Sequence, residues 1–518
     1  MHTTPEPSLW RRPVLLGTTE TLAALAGQMA VTNLLPNHVG CVLVRNEEGV
    51  SAGDDLAGLP VLGVLDDLAS LHGPAQFSAA VVSLPASERA MALRVREVLR
   101  SLAIPERVVP ALSDLLDVPP ALTPGFAQGI NMPELIGRTP FGLDRRSVQS
   151  AIEAKRVLIT GAGGSIGSEL ARIAATFRPS VLILLERSEN ALFEIDRQLA
   201  RRFPGVERRA ILHDVVDHDS TRRLLARLKP HAVFHAAAHK HVPLMEEHPG
   251  HALSNNLFGT KSIADAAHEC GAERFVMIST DKAVNPSSAM GATKRLAELY
   301  VQWLAGTQKQ SRTWTRFSIV RFGNVLGSAC SVLPIWGQQL AEGGPVTVTD
   351  PRMTRYFMTI PEAATLVVQA GSIDSDAEHP VVYVLDMGEP VRILDLAQRF
   401  IRMHGFEPRT ISPGAPSDDR TPALGPTMDI AITGVRPGEK LHEELAYETE
   451  ALAQTAHPGI LALREQGNPL AAMDMTSMIR ELEELRTSPD RYLVRAAIQR
   501  WIPTEAERVG LRTGVRAA

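Results

Sequence analysis

Short apolar runs alternate with stretches of helical spacing in the first part of the chain. These runs fall at residues 14–16, 42–44, 61–63 and 79–84. Runs of this length predict buried strands, and strands that alternate with helices predict an open parallel sheet. Residues 1–116 are therefore expected to form a small α/β domain that resembles a Rossmann fold.

The turn after the first of these runs reads Gly17-Thr18-Thr19-Glu20. A dinucleotide site needs several glycines at this turn, because side chains there leave no room for the phosphates. We therefore expect a degenerate Rossmann-like domain that binds no cofactor and serves regulation or assembly.

The alternation resumes, more strongly, in the second part of the chain. Pro and Gly are frequent in residues 117–150, which predicts a linker or strap. Strand-like apolar runs follow at residues 156–160, 181–186, 210–214, 232–235, 274–279 and 317–321. Helical segments separate these runs, which predicts a doubly wound parallel sheet of six or seven strands over residues 151–330.

The alternation weakens after residue 330. Shorter apolar runs at 346–348 and 382–385 predict a small α/β lobe over residues 331–460, interleaved with the sheet. Residues 461–518 are expected to form a helical tail. The predicted fold class is therefore α/β, with tandem Rossmann-like domains and a small C-terminal lobe.

Composition narrows the class of protein. The 53 Lys and Arg residues against 58 Asp and Glu residues give a net charge of −5, which argues against a nucleic-acid-binding surface. No apolar run reaches the length of about 18 residues that a transmembrane helix needs, and no signal peptide is evident, so a cytoplasmic location is expected. Cys41, Cys270 and Cys330 lie far apart, so no metal site is expected.

A glycine-rich loop joins the strand 156–160 to a helical segment. Gly161 permits the tight turn, Gly164 lets the backbone approach a pyrophosphate, and Gly167 allows the helix to pack on the strand. Ser165 and Ile166 begin that helix, whose free N–H groups suit an anion. The loop therefore predicts a dinucleotide site.

Residues near the ends of later strands complete this prediction. Glu186 lies about 20 residues after the last glycine, where an acidic residue binds the ribose hydroxyls. Arg187 beside it suits a 2′-phosphate, so NAD is expected and NADP is left open. Further candidate cofactor residues are Ser188, Asp214, Val215, Ala236, Ala237, Ala238, Lys240 and Asn256.

The candidate catalytic residues follow the fifth strand of this sheet. The segment Ser279-Thr280-Asp281-Lys282 ends that strand, and Met290 and Lys294 come shortly after it. Short-chain dehydrogenases place Tyr-x-x-x-Lys here, with a phenol whose pKa the ammonium lowers. Met290 cannot carry a proton, which argues against a simple alcohol dehydrogenase and against an ordinary 4-epimerase.

Six sequence segments carry a dense resemblance to one family. They are ITGAGGSIGSELAR (159–172), HAAAHKHVPLME (235–246), STDKAVNPSSAMGATKR (279–295), RFGNVLGS (321–328), TRYFMTIPEA (354–363) and GVRPGEKLHEEL (434–445). The chain resembles the UDP-N-acetylglucosamine 4,6-dehydratases of polysaccharide biosynthesis, which share a CapD-like catalytic domain on an extended short-chain dehydrogenase scaffold. The membrane helices that often precede this domain are not recognised here.

The resemblance implies an internal redox elimination with a tightly bound cofactor that is regenerated in each turnover. It implies that Lys282 removes the C5 proton of the sugar, that Asp281 protonates the departing C6 hydroxyl and that Thr280 binds the C4 hydroxyl. Lys294 would grip the nicotinamide ribose. A water held by Thr280 and Lys294 replaces the tyrosine in our hypothesis, so the variant Met290→Tyr is expected to retain or increase activity.

The resemblance also implies a UDP-sugar substrate. The residues expected to bind it are Lys240, Asn324, Val332, Leu333, Arg355, Arg436 and Glu439. Residues 327–332 read Gly-Ser-Ala-Cys-Ser-Val where the family commonly has Gly-Ser-Arg-Gly-Ser-Val, which leaves the exact hexose open. A homo-oligomer and peripheral association with envelope-glycan machinery are expected. The alternatives are a nucleotide-sugar 4-epimerase and a catalytically idle scaffold.

Overall fold

The computed structural model divides the chain into two compact units, Met1–Pro124 and Gly125–Ala518. The residues that it describes are 13–32, 40–46, 50–75, 77–85, 88–109, 132–138, 140–308, 314–373, 381–411, 426–448, 450–464 and 473–503. The first part of the predicted linker, 117–131, and the end of the predicted helical tail, 504–518, lie outside the described residues.

The first unit contains a six-stranded sheet. Its strands are β1 (Pro13–Gly17), β2 (Gly40–Leu43), β3 (Asp55–Leu56), β4 (Leu59–Val64), β5 (Ala79–Ser83) and β6 (Glu106–Val108). The strand order is β3-β4-β2-β1-β5-β6, and every neighbouring pair is parallel except β3 with β4. Its helices are Thr19–Thr32, Leu68–Ala75 and Arg89–Ser101.

The turn after β1 is closed by the side chains of its own unit. The Thr21 hydroxyl donates to the carbonyl of Ser83 at 2.7 Å and lies 3.2 Å from the Thr18 hydroxyl. A Cβ atom on Gly17 would lie 2.5 Å from the same Ser83 carbonyl. Threonine side chains therefore fill the space that a phosphate-binding turn leaves open.

The second unit is built on a larger sheet with a small lobe beside it. Its strands are β7 (Arg156–Thr160), β8 (Val181–Glu186), β9 (Arg208–Leu212), β10 (Ala232–His235), β11 (Arg274–Ile278), β12 (Arg316–Arg321), β13 (Asn324–Leu326), β14 (Val346–Val348), β15 (Thr354–Arg355), β16 (Phe357–Thr359), β17 (Val381–Leu385), β18 (Val391–Arg392), β19 (Glu407–Ile411), β20 (Thr427–Ile432), β21 (Ala451–Gln454) and β22 (Ile460–Arg464).

The large sheet has nine strands in the order β21-β22-β17-β12-β11-β10-β7-β8-β9. The seven strands from β17 to β9 are parallel, so the predicted doubly wound fold is confirmed. The seven parallel strands agree with the predicted six or seven, and β21 and β22 add an antiparallel edge that was not predicted. β21 is only four residues long and is largely exposed, unlike the buried central strands of the sheet.

Helices cover both faces of the large sheet. They are Arg145–Ile152, Ser165–Thr176, Glu189–Arg202, His218–Leu228, Val242–Glu247, Pro249–Ala252, Gly259–Glu269, Ala289–Thr307, Ile360–Ser372, Met475–Leu485 and Arg491–Arg500, with a π-helical turn at Leu253–Phe258. Leu158 of β7 packs into the core on one face, whereas Val157 and Ile159 pack into the core on the other. Burial on both faces explains the nearly continuous apolar sequence of these strands.

The small lobe holds the remaining strands of this unit. β14, β20 and β19 form a three-stranded sheet, and β13 pairs with β16 and β15 with β18. The helices of this part are Met132–Ile136, Val332–Ala341 and Ile393–Met403. Trp336 and Phe400 lie in its apolar core. Over all the ranges described, no helix is both long and apolar enough to cross a membrane.

Candidate active site

The glycine loop lies where β7 meets the helix Ser165–Thr176. Gly161 has a φ of +62°, and a Cβ atom on it would lie 2.8 Å from the backbone nitrogen of Ala237. A Cβ atom on Gly167 would lie 2.0 Å from the Gly161 carbonyl oxygen, so only glycine fits there. Gly164 precedes the helix without a side-chain cap, which leaves the N–H groups of Ser165 and Ile166 at an uncapped helix start.

A cleft of about 280 Å³ opens beside this loop. Its walls include many of the residues that the sequence predicts for cofactor binding, namely Gly161, Gly164, Glu186, Arg187, Asp214, Val215, Ala236, Ala237 and Ala238. They come from the carboxyl ends of four neighbouring strands, β10, β7, β8 and β9, where open α/β sheets bind their ligands. The cleft and its helix start together suit a nucleoside diphosphate.

Glu186 is held firmly at the cleft wall. Its Oε2 accepts the N–H of Gly163 at 3.1 Å, and its Oε1 accepts the N–H groups of Arg187 and Ser188 at 2.9 and 3.0 Å. Ser188 also caps the helix Glu189–Arg202. Since Oε2 has a single donor, the carboxylate can still accept a further hydrogen bond from a ribose hydroxyl.

Arg187 lies across the mouth of the same cleft. Its guanidinium donates to the side chain of Asn255 at 3.3 Å, lies 3.4 Å from the His239 ring and is 4.0 Å from the Asp214 carboxylate. Its side chain remains 47% exposed, so it can reach a group bound in the cleft. This geometry is compatible with either NAD or NADP.

Thr280, Asp281 and Lys282 form a contiguous cluster after β11. The Thr280 hydroxyl donates to Asp281 Oδ1 at 2.9 Å, and Lys282 Nζ donates to the same oxygen at 3.0 Å. Lys282 Nζ also donates to Asn324 Oδ1 at 3.0 Å. Asp281 is fully buried, and its Oδ2 has no hydrogen-bond partner within the described ranges. A primary amine and a carboxyl group are thus held in one small polar pocket.

Lys294 lies on the helix Ala289–Thr307 and contacts the end of β11, the strand that precedes this cluster. Its buried ammonium donates to the carbonyl of Ile278 at 2.7 Å. Burial lowers the pKa of Lys294 to about 8, and the charge of Glu298 opposes the shift. His235 at the end of β10 is bound by Thr160 and Thr260, and burial followed by the charge of Lys294 lowers its pKa to about 3. His235 is therefore a neutral structural residue.

Met290 differs from its predicted place among the catalytic residues. Its side chain is buried in an apolar cluster with Val242, Met245 and Ala252. A thioether packed in this way takes no part in proton transfer. Asn256 has a supporting role as well. Its Oδ1 accepts the N–H of His239, and its Nδ2 donates to the His239 carbonyl and to the Thr293 hydroxyl.

A buried ionic network of Glu298 and Arg321 contacts the start of the catalytic segment at Ser279. Glu298 accepts the Ser279 hydroxyl at 2.7 Å and makes paired bonds with Arg321 at 2.9 and 2.8 Å. Burial alone would raise the pKa of Glu298, but the charge and hydrogen bonds of Arg321 outweigh it and bring the pKa to about 2. The hydroxyl of Tyr447, which lies beside Arg321, donates to the Ala283 carbonyl at 3.2 Å. Sequence reasoning missed this network.

Glu443 is a second residue that the sequence analysis missed. Its carboxylate is buried, and its Oε1 lies 3.8 Å from Lys282 Nζ and 3.9 Å from Arg355 Nη2. Glu443 stands beside Glu444 in the segment 434–445 that carries the family resemblance. Adjacent glutamates give no local signal of which one faces inward, so spacing could not identify it.

The two arginines predicted to bind the substrate diphosphate both contact groups of the protein itself. Arg355 donates to the carbonyls of Thr354, Lys440 and Leu441 at 2.7, 2.8 and 3.1 Å, so it anchors a loop. Arg436 is exposed and forms a paired contact with Glu439 at 3.0 and 2.6 Å. A guanidinium binds backbone carbonyls and carboxylates as readily as phosphates, so these contacts leave the predicted diphosphate contacts of both residues as predictions.

Of the other predicted substrate residues, some lie beside Lys282 or the glycine loop and others lie in the small lobe. Asn324 holds Lys282, as described above. Leu333 is 2% exposed and packs in the core of the small lobe, whereas Val332 is half-buried at the start of its helix. Lys240 donates to the Ser328 hydroxyl at 3.3 Å and to the Ala329 carbonyl at 2.8 Å, and burial lowers its pKa.

Comparisons with known proteins agree with this geometry. Residues 157–465 match the model of a family described as polysaccharide biosynthesis protein. A probable polysaccharide biosynthesis protein EpsC of Bacillus subtilis is 42% identical over 78% of this chain and 64% of its own length. The chain therefore spans less than two thirds of that relative.

A shorter relative matches over most of its length. The UDP-N-acetylglucosamine 4,6-dehydratase (inverting) of Campylobacter jejuni serotype O:2 is 33% identical over 56% of this chain and 76% of its own length. Among solved structures, Pen from Bacillus thuringiensis is 28% identical with a TM-score of 0.52, covering 61% of this chain and 87% of its own.

Proposed function

As this chain belongs to the polysaccharide biosynthesis protein family, we propose that it is a nucleotide-sugar 4,6-dehydratase. Its substrate would be UDP-N-acetylglucosamine or a close UDP-hexose, and its product the 4-keto-6-deoxy sugar. The observation that carries the proposal is that Lys282 and Thr280 both donate to the buried Asp281 carboxyl group. This set provides a base and an acid, which a water elimination needs.

The cleft beside the glycine loop fits a nicotinamide dinucleotide. The close approach of Gly167 to Gly161 and the free acceptor position of Glu186 are the features that a pyrophosphate and a ribose require. When bound, the dinucleotide supplies the reversible hydride acceptor that oxidation at sugar C4 and reduction at C6 need. Glu186 would bind the adenosine ribose and Lys294 the nicotinamide ribose.

Lys282 and Asp281 carry the proton transfers of the elimination. The neutral amine of Lys282 takes the proton from C5 while a C5–C6 double bond forms and the C6–O bond breaks. Asp281 gives its proton to the departing hydroxyl, which leaves as water. Their contact at 3.0 Å places an acceptor and a donor side by side, as removal of H and OH from adjacent carbons requires.

Thr280 and Asn324 orient these groups. Thr280 accepts the backbone N–H of Lys282 at 3.4 Å and donates to Asp281, so its hydroxyl lies at the edge of the pair, where it can bind the C4 oxygen of the sugar. Asn324 fixes the Lys282 amine from the opposite side. In this proposal, a water bound by Thr280 and Lys294 takes the C4 hydroxyl proton, because the side chain of Met290 cannot.

Mass spectrometry of the product tests the proposal. Purified protein is incubated with UDP-N-acetylglucosamine and the nucleotide sugars are separated. The proposal expects a product lighter than the substrate by one water. A product of unchanged mass that differs only at C4 would instead identify a 4-epimerase.

A further inference from the structure

The loop of residues 327–331, which follows β13, contacts the start of the helix after the glycine loop. The backbone N–H of Ala329 donates to the Ser165 hydroxyl at 3.1 Å. Ser165 is the first residue of that helix, and Gly164 before it provides no side-chain cap. The loop 327–331 therefore reaches the uncapped helix start at which the phosphates of a dinucleotide are expected to bind.

Lys240 holds the same loop from its other side. Its Nζ donates to the Ala329 carbonyl at 2.8 Å and, at a longer 3.3 Å, to the Ser328 hydroxyl. Ala329 is thus bound through its N–H to Ser165 and through its carbonyl to Lys240. These two partners follow β7 and β10, which are neighbouring strands. The loop therefore bridges the carboxyl ends of both strands, along which we expect the dinucleotide to lie.

The backbone on both sides of Lys240 is fixed. Asn256 accepts the N–H of His239 at 2.8 Å and donates to its carbonyl at 3.1 Å. On the other side, the carbonyl of His241 accepts the N–H of Met245 at 3.0 Å, as the next helix begins. Because both neighbours are held in this way, loss of the Lys240 amine should release the loop and leave the Lys240 backbone in place.

The backbone conformation of the loop needs support from outside it. Gly327 has a φ of +72° and Cys330 a φ of +56°, so the loop enters the left-handed region twice, the second time without a glycine. A side chain in that region strains the backbone, and such a conformation persists where surrounding contacts hold it. Cys330 directly follows Ala329, so the bonds of Ala329 to Lys240 and Ser165 are placed to hold it.

The charge of Lys240 is not balanced by an acidic side chain within the described ranges. Both acceptors of its ammonium are neutral oxygens, a hydroxyl and a backbone carbonyl. An ammonium in this state suits a nearby anion. A direct bond from Lys240 to a phosphate is therefore the competing role, and the experiment must separate it from a role that acts through the loop.

We propose that Lys240 is a positioning residue that fixes the loop 327–331 against the start of the helix Ser165–Thr176 and so slows the release of the dinucleotide. This inference rests on the proposed dehydratase function, in which the hydride taken from C4 returns to C6 of the same sugar. Loss of the cofactor before that return would leave the sugar oxidised. A loop that keeps the cofactor bound through the whole cycle prevents this loss.

The test is the rate at which bound dinucleotide leaves the wild type and the variant Lys240→Met. Each protein is equilibrated with NADH, and in a parallel series with NADPH, and the excess is removed. The fall in fluorescence of the bound nucleotide is then followed after addition of an excess of the oxidised form. Methionine has a similar length but donates no hydrogen bond, so we expect release to be about 10-fold faster or more. The amide hydrogen of Ala329 should also exchange with solvent faster in this variant.

Two further variants serve as controls. Lys240→Arg keeps a charged donor and should release the dinucleotide within about threefold of the wild-type rate. Lys155→Met removes a lysine that pairs with Glu273 at the opposite edge of the sheet, and its release rate should not change. The urea midpoint of Lys240→Met should match that of the wild type, because Lys240 is exposed. A general loss of stability is thereby distinguished from release of the loop.

Substitution of Ser165 separates the loop from a direct phosphate contact. Ser165→Ala removes the other bond to Ala329 and leaves Lys240 intact. If the loop acts as one unit, Lys240→Met should add less than about threefold to the release rate in the Ser165→Ala background. If Lys240 binds a phosphate by itself, the full effect of Lys240→Met should remain in that background.

The outcomes keep this inference apart from the proposed function. An unchanged release rate in Lys240→Met, or an effect that remains complete in the Ser165→Ala background, overturns the positioning role, whereas a product lighter by one water still supports the dehydratase. A wild type that retains neither NADH nor NADPH overturns both. A wild type that retains a dinucleotide but forms no dehydrated product overturns the dehydratase assignment alone, and the release rates then decide the role of Lys240.

Discussion

Lys282 Nζ lies 3.0 Å from Asp281 Oδ1, and the Thr280 hydroxyl donates to the same oxygen. An amine and a carboxyl group in contact within a buried pocket can hold one proton between them. The arrangement suits the removal of a proton and a hydroxyl group from adjacent carbons of one substrate. It also makes the site sensitive to the loss of either side chain.

Removal of the Lys282 amine tests its role as the base. We expect Lys282→Ala to lower kcat by about 100-fold or more, because no other described amine contacts Asp281. Product formation from UDP-N-acetylglucosamine is the measurement. Lys155→Ala, which removes a surface ion pair with Glu273, is the control and should keep full activity. Full activity in Lys282→Ala would refute the assignment.

The apolar packing of Met290 changes what we expect from substitutions there. Met290→Leu conserves volume and should cost less than about 1.5 kcal/mol of unfolding free energy, with activity retained. Met290→Tyr inserts a larger, polar ring between Val242, Met245 and Ala252, so it should destabilise the protein by about 1–3 kcal/mol. Urea denaturation of both variants measures this. A Met290→Tyr protein as stable as the wild type would show that the ring finds another place.

The close approach at Gly167 predicts loss of the cofactor. Gly167→Ala puts a Cβ atom 2.0 Å from the Gly161 carbonyl oxygen, so the turn must open and its phosphate-binding shape is lost. The amount of dinucleotide released by denaturation, per mole of purified protein, should fall several-fold. Gly306→Ala is the control, because the structure leaves open space there. Equal cofactor content in both variants would count against a dinucleotide in this cleft.

The buried Glu298–Arg321 pair predicts a pH-dependent stability. The pKa of Glu298 falls from 4.5 to about 2 on folding, so its contribution is present above pH 4.5 and is lost as the pH falls toward 2. Glu298→Gln leaves Arg321 and Arg295 buried with less compensation, which should cost about 3–5 kcal/mol at pH 7. Urea unfolding from pH 7 to pH 3 should show a shallower loss of stability in this variant. Parallel curves would contradict the assignment.

The parts of this molecule that depend on local sequence could be predicted. The glycine loop, Glu186 and the Thr280–Lys282 segment lie at the ends of strands that apolar runs mark, so the sequence indicated their positions in the sheet. The roles of Thr280, Asp281 and Lys282 were implied by the family resemblance. The edge strand β21 is short and largely exposed, and it pairs with β22. The contacts of Arg355 and Arg436 within the protein could not be predicted from the sequence, because their partners are set by the tertiary structure.

The tertiary network around the catalytic segment lay beyond sequence reasoning. Glu443 and Arg321 reach Lys282 and Ser279, the latter through Glu298, from distant parts of the chain. Nothing in their immediate neighbours distinguishes them from surface residues. Their burial, which gives them their chemistry, exists only once β12 and the segment 442–450 have packed against the segment after β11.

The most direct test of the dehydratase function follows a label through the reaction. UDP-N-acetylglucosamine that carries deuterium at C4 is incubated with the protein, and the product is examined by mass spectrometry and NMR. The account predicts a product that has lost one water and carries the deuterium in its C6 methyl group. A product of unchanged mass that retains the deuterium at C4 would contradict it and would identify an epimerase.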